Sequence, residues 1–309
     1  MMRTIPAGSP AAFREGEREG GWFKMKKIAA FLCAAALAIC AMGSFAMADT
    51  LKIAIPNDAT NEGRALLLLQ SIGALTLNEE AGITATTKDV TSTAADIEFV
   101  EAEAANVPNL LQDVDFAIIN NNYALDNGLN PAADGLARES ADSPYSNVLC
   151  VKEENRDSDL TKALTAAFTS QAVADYIAET YPDGSVVSVV AEPTDGYDAS
   201  VDYDALNGTS VSIAVTPVPH EPIAKIAKEI LAAKGITLEI LEVTDYVTPN
   251  DFVEAGDVYA NFFAHIPYQE NFNAENGTHI AIIAPVHVEP MAIYGGQTKA
   301  LDALLTAAE

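Results

Sequence analysis

One arginine stands where it could bind an anion. Pro56-Asn57-Asp58-Ala59-Thr60-Asn61-Glu62-Gly63-Arg64 follows a β-like run, Leu51 to Ile55, and opens an apolar helix. Beyond residue 48 the chain carries only three arginines, Arg64, Arg138 and Arg156. A helix N-terminus joined to a guanidinium fork is a receptor for a carboxylate, because both present convergent N–H donors. The same Asx and Thr residues are equally what an ordinary helix N-cap uses, and both readings stand. A second group of amides, Asn120-Asn121-Asn122-Tyr123, follows the apolar run Phe116 to Ile119. Strand ends in α/β sheets are where ligands bind, although Asn also suits a plain turn. A third stretch, Asn261 to Tyr268, sets Phe262, Phe263 and Tyr268 around His265, with Tyr246 upstream in Asp245 to Asn250. Aromatic faces around one polar group suit a soft apolar side chain such as a thioether; ordinary core packing is the competing reading.

Other chemistry finds no support. The four histidines, His220, His265, His279 and His287, make no close pair on one turn or strand, and beyond residue 48 no second cysteine joins Cys150. No metal ligands are therefore expected. Nucleophile elbows, Gly-rich phosphate loops and metalloprotease helices are missing from the sequence, and carboxylates are too abundant to single out a pair. The expectation is a binding protein without cofactor, not an enzyme.

The elements that would position these residues alternate between strand and helix, the pattern of an α/β fold. Strands are expected at Leu51 to Ile55, Ile97 to Glu101, Phe116 to Ile119, Asn147 to Val151, Val211 to Val215, Leu238 to Val243, Val258 to Ala260 and His279 to Ala284. Helices are expected at Glu62 to Ser71, Val107 to Leu111, Leu160 to Thr180, Pro222 to Lys234 and Ala300 to Ala308. The second long one rests on Leu164, Phe168, Ala172 and Tyr176 at helical spacing. Tyr181 to Gly208, rich in Pro, Gly, Asp and Ser, reads as a linker with one strand of its own at Val186 to Val190.

Export is written near the start. Met25-Lys26-Lys27 is a basic n-region, Ile28 to Cys40 an apolar run, and Ala46-Met47-Ala48 a cleavage site. Residues 25–48 therefore read as a signal peptide, and residues 1–24, acidic at Glu15, Glu17 and Glu19, as an upstream extension with translation starting at Met25. Leu37-Ala38-Ile39-Cys40 resembles a lipobox with a bulky Ile39, so free secretion ranks above a lipid anchor at Cys40. The 309 residues carry 17 basic and 44 acidic groups. Setting aside the six basic and three acidic residues before position 49 leaves 11 against 41, or −30. Such a charge excludes nucleic acid and disfavours an anionic membrane surface.

Together these segments resemble the methionine-binding lipoproteins of the NlpA family. The resemblance rests on Ile55-Pro56-Asn57-Asp58 with Asn61, Arg64 and Leu66 to Gln70; on Asp113-Val114-Asp115 to Asn120 with Tyr123; and on Asp142-Ser143-Pro144-Tyr145. Asp245 to Asn250, Asn261 to Tyr268 and Glu289-Pro290-Met291 with Tyr294 complete it. Ala59 stands where the family carries proline, Ala264 where glutamine is usual, and Asn109 where arginine is usual. The segment order is reversed: stretches like Val211–Leu304 come first in the family, which implies a circular permutant joined through residues 181–208. The resemblance implies a two-lobed, hinged periplasmic-binding-protein-like α/β fold with ligand in the cleft, one lobe at 51–140 and the second at 143–309. The terminal helix, 300–308, is expected to dock on the first lobe through Leu301, Leu304 and Leu305. A single covalent hinge is expected near Ala141 to Pro144. It further implies Asn61 and Arg64 as carboxylate contacts, Asn120 at the polar head, Tyr246, Phe263 and His265 around the side chain, and Tyr294 near the hinge. The implied function is extracytoplasmic capture of methionine or a close amino acid for an ABC permease and its ATPase. Alternatives are the same fold holding another amino acid, a short peptide or a metal, or a surface interaction protein that has left transport.

Overall fold

The structure is a computed structural model that describes residues 50–305. The upstream extension, the signal peptide with Cys40, and residues 306–309 lie outside the described residues. In chain order, β1 (Leu51–Pro56) leads into α1 (Ala59–Ser71), a small hairpin of β2 (Leu75–Leu77) and β3 (Val90–Thr93), then β4 (Ile97–Ala102). A 3₁₀ segment, Ala104–Leu110, precedes β5 (Phe116–Ile119), α2 (Asn121–Asp126) and β6 (Gly135–Arg138). Strands β4, β1 and β5 run parallel as neighbours in one sheet. The short apolar runs Ile53 to Ile55 and Phe116 to Ile119 are fully buried there, as strands covered on both faces require.

The chain then crosses to a second sheet. Its elements are β7 (Ser146–Lys152), α3 (Asp159–Phe168), α4 (Gln171–Thr180), β8 (Val187–Ser188), α5 (Tyr203–Leu206), β9 (Ser210–Val215), α6 (His220–Ala232) and β10 (Thr237–Glu242). After these come α7 (Thr248–Ala255), β11 (Ala260–His265), α8 (Ile266–Asn276) and β12 (Ile280–Val288). The sheet order is β10-β9-β11-β7-β12-β8, with β7 and β12 antiparallel to their neighbours. Finally β13 (Ala292–Gly295) returns to the first sheet, lying between β5 and β6 and antiparallel to both.

The second sheet is thus one contiguous stretch set between β6 and β13 of the first, and the chain crosses between the two lobes twice, at 139–146 and at 288–292. This corrects the expectation of one covalent hinge: the second crossing comes before Tyr294, which belongs to the first lobe. Glu139 N–H donates to the Met291 carbonyl at 2.9 Å, and Met291 N–H donates to the Glu139 carboxylate at 2.9 Å, so the crossings are bonded to each other.

Three further differences have local causes. The long periodic stretch Leu160 to Thr180 is two helices, because the Ser170 hydroxyl turns back to accept the Val173 N–H at 3.3 Å and caps a fresh start. The aromatic segment after Val258 is a full strand, β11, whose six residues are all buried. The terminal segment is a 3₁₀ turn, Leu301–Leu304, in which Leu304 is buried in the first lobe's core beside Ile53 and Leu69, Leu301 is half-buried and Leu305 is exposed. No helix among the described residues is long and apolar enough to cross a membrane.

Candidate ligand-binding cleft

The C-terminal ends of the parallel strands β1 and β5 deliver α1 and Asn120 to the same place, facing β11 of the second lobe. Between them lies a cavity lined by Asn61, Arg64, Asn120, Tyr246, Phe263 and His265, six of the seven residues singled out from sequence. The seventh, Tyr294, does not line it. Paired with Ala117 in the first sheet, its ring is buried among Ala117, Ile119 and Tyr123. Ala264 lines the cavity; Asn109 is exposed and takes no part.

The helix N-terminus is not an open anion site. Asp58 caps α1, accepting the Asn61 N–H at 3.0 Å, and its two oxygens also take the Asn61 Nδ2 at 2.9 Å each. That fixes the amide's direction: Asn61 Oδ1 faces the cleft, where it accepts Asn120 Nδ2 at 2.8 Å. His265 caps α8 in the same way, its Nδ1 accepting the Tyr268 N–H at 3.0 Å. The ring proton therefore sits on Nε2 and is donated to Asn61 Oδ1 at 3.1 Å. Burial, with Arg64 nearby, holds the His265 pKa well below its ordinary value, in keeping with a neutral ring. Asn61 accordingly organises the cleft and offers a carboxylate no side-chain donor, contrary to the role implied by resemblance. The last atom of the relay, Asn120 Oδ1, is buried with no hydrogen-bond partner among the described residues, an acceptor awaiting a donor.

Arg64 supplies the opposite polarity. It is 3% exposed and stacks on the Tyr145 ring, its guanidinium carbon 4.3 Å from the ring centre. Nε reaches the Glu139 oxygens at 2.9 and 3.0 Å, Nη2 reaches Oε2 at 2.6 Å, and Nη2 also donates to the Glu289 carbonyl at 2.7 Å. Nη1 makes no hydrogen bond to a described residue, leaving one pair of N–H donors of this cation uncommitted.

Aromatic rings close the far wall. Tyr246 lies 5.8 Å from Phe263 and 5.7 Å from Tyr268, centre to centre. Burial drives the Tyr246 phenol well above its usual range, so it stays protonated and donates across the lobes to Asn122 Oδ1 at 2.6 Å. Tyr123 to the Thr244 carbonyl, 3.1 Å, and Asn121 Nδ2 to the Ser185 carbonyl, 3.0 Å, also join the lobes.

Sequence reading missed Glu139, Asn147 and Glu289 as site residues. A buried arginine requires an anionic partner, so one of the 44 acidic residues had to be near, but no spacing rule selects Glu139 across 75 positions. Glu289 lines the cavity, and the rings of His220 and His287 contact its carboxylate at 3.3 and 2.7 Å. Burial lowers the His220 pKa to about 3. Cys150 is a buried core residue whose thiol burial pushes up, as a small hydrophobe would be.

Two sheets, joined by two crossings around a polar and aromatic cleft, define a two-lobed α/β protein with an interlobe site. Its sequence matches the NlpA lipoprotein family over residues 46–190 and 211–309, and the chain belongs to that family. Relatives include the probable D-methionine-binding lipoprotein MetQ of Vibrio cholerae, 39% identical over 138 residues, covering 45% of this chain and 51% of that one. The D-methionine-binding lipoprotein MetQ of Yersinia pestis is 40% identical over 137 residues, covering 44% and 51%. The chain spans about half the length of the curated relatives it matches. Among solved structures, the methionine binding protein MetQ gives a TM-score of 0.43 at 37% identity, covering 44% of this chain and 56% of that one. A nutrient binding protein from Burkholderia cenocepacia bound to methionine gives 0.42 at 37%, covering 46% and 61%.

Proposed function

We propose that this protein is the exported capture component of an ABC importer and binds methionine or a closely related amino acid. The observation that carries the reading is the cleft's built-in polarity. Arg64 offers uncommitted donors to a carboxylate, and Asn120 Oδ1, its direction set through Asn61 by Asp58, offers an acceptor to an ammonium group. A zwitterion satisfies both. Tyr246, Phe263 and Tyr268 then meet its side chain, and polarizable rings suit a thioether. The names of the Vibrio and Yersinia relatives, D-methionine-binding lipoproteins, support the same ligand class. Binding is the function here: closing the lobes over the ligand makes the form a permease and its ATPase recognise.

The order of the two halves is part of this proposal. The family match falls in two stretches separated by residues 191–210, and each curated relative aligns over under half of this chain. Both facts support the permuted order read from the sequence. Calorimetry of the purified chain with L- and D-methionine, and mass spectrometry of ligand released on denaturation, test the function. Saturable one-to-one binding of either enantiomer supports it; no heat with either, and no co-purified amino acid, refutes it.

A further inference from the structure

Behind the cleft, on the side of the second lobe, three side chains converge that amino-acid capture does not need. His287 and Glu289 lie two apart on and just past β12, which puts them on one side of the strand. Asn147 of β7 is the direct cross-strand partner of His287. His220, first residue of α6, brings its Nε2 to 3.4 Å from Asn147 Oδ1. One ring nitrogen each of His220 and His287 and a Glu289 carboxylate oxygen all lie within 4.8 Å of one another, and all three residues are buried.

We propose that His220, His287 and Glu289 form a binding site for a divalent ion of the zinc type, independent of what the cleft captures. Two imidazoles and a carboxylate are the donor set for such an ion, with Zn–ligand bonds of about 2.0–2.2 Å. Tetrahedral bonds of that length hold neighbouring donor atoms about 3.4 Å apart. The Glu289 oxygen lies 3.3 Å from His220 Nε2, and Asn147 Oδ1 lies 3.4 Å from the same nitrogen. Both distances are long for hydrogen bonds yet match the edge of a coordination tetrahedron. The His287 contact, 2.7 Å, has to widen. Asn147 Oδ1 is placed to complete four oxygen and nitrogen donors.

The surroundings fit a site of this kind. Thr216 Oγ1 lies 2.7 Å from His220 Nδ1, the outer contact that orients a ligating imidazole; His287 has none among the described residues. The Phe262 ring packs edge-on against both imidazoles, at 4.8 and 5.4 Å, and shields them from water. Entry is available through the cleft, since Asn147 and Glu289 line its cavity. The strongly negative chain attracts cations toward it.

The test uses untagged protein stripped by chelator and dialysed, titrated with Zn²⁺ by calorimetry and with Co²⁺ by visible absorption. One ion per chain, with the intense d–d bands of a tetrahedral Co²⁺ site, is expected. His287→Gln and Glu289→Gln should each weaken uptake by at least about 10-fold, and Thr216→Val by roughly 10-fold. His279→Ala should leave uptake unchanged, because the His279–Glu254 pair is an exposed surface contact elsewhere. Near-UV circular dichroism checks that each variant is folded. Should the inner variants fail to fold, the wild-type stoichiometry and Thr216→Val decide. Absence of one-to-one uptake by the wild type, uptake unaltered in every folded inner-site variant and in Thr216→Val, or uptake abolished by His279→Ala overturns the site.

Discussion

Replacing Arg64 by alanine removes at once a buried ion pair and the ligand contact proposed for the same residue. Its guanidinium holds Glu139 by three contacts of 2.6–3.0 Å and donates to the Glu289 carbonyl at 2.7 Å, while 3% exposed. Removing one partner of a buried ion pair strands the other and costs about 3–5 kcal/mol. For a chain of this size each kcal/mol lowers Tm by roughly 2–4 °C, so a fall of roughly 6–20 °C is expected by scanning calorimetry. Ligand affinity should fall separately by about 2–5 kcal/mol, or roughly 30- to 5000-fold in Kd, because the ligand's carboxylate then meets no cation in the closed cleft. The double variant Arg64→Ala/Glu139→Gln tells the two apart. An amide in place of the stranded carboxylate can still accept the Met291 N–H, and about 1–3 kcal/mol of stability should return. Affinity for methionine should not. If the double variant recovers binding together with stability, or if Arg64→Ala binds as tightly as wild type, Arg64 is a structural residue and the carboxylate assignment is wrong.

His265→Asn should weaken methionine binding at least about 10-fold while keeping a side chain able to cap α8, which calorimetry and Tm together check. The folded His265 pKa is depressed, so the unfolded chain binds the extra proton; stability from the neutral ring is present above pH 6.5 and lost as pH falls through the lowered folded value. The wild-type minus His265→Asn difference in unfolding free energy should therefore shrink below pH 6.5, and a pH-independent difference contradicts the buried neutral imidazole. Gly63→Ala should destabilise by about 1–3 kcal/mol in urea titrations despite alanine's better helix propensity, because its Cβ would stand 2.3 Å from the Ile83 carbonyl oxygen. Leu304→Ala should cost about 2–5 kcal/mol if the terminal turn seals the first lobe's core, whereas Leu305→Ala, at an exposed position, should stay within about 0.5 kcal/mol.

What the sequence revealed depended on how local the cause was. Strands β1 and β5 were legible because continuous apolar runs have one use in a covered parallel sheet, and their bounds agree closely with Leu51 to Ile55 and Phe116 to Ile119. Helix α1 was legible from its apolar core at Leu66 to Leu69, although its start at Ala59 is set by the Asp58 cap rather than by that core. The break between α3 and α4 was hidden because Phe168, Ala172 and Tyr176 keep helical spacing across it while Ser170 alone decides. Strand β13 was missed because Ala292 to Gly295 is short and earns its conformation only from β5 and β6, residues far away in sequence. Six cleft residues could be named in advance since their motifs are compact. The direction of each hydrogen bond could not: that Asn61 turns its oxygen to the cleft follows from Asp58, which amide composition does not encode.

Arg64 also stands where the two interlobe crossings meet. Glu139 lies on one crossing and Glu289 on the other, and a single guanidinium bonds both. Any rotation of the lobes about those strands therefore moves the groups that hold the Arg64 guanidinium in place. Reciprocity makes this a two-way exchange: an anion drawn to Arg64 biases the angle between the lobes by the same free energy with which that angle alters the anion's affinity. On the ligand contact proposed for Arg64, occupancy is reported to the hinge by one residue in direct contact with it, and no chain of intermediates is needed to carry the signal.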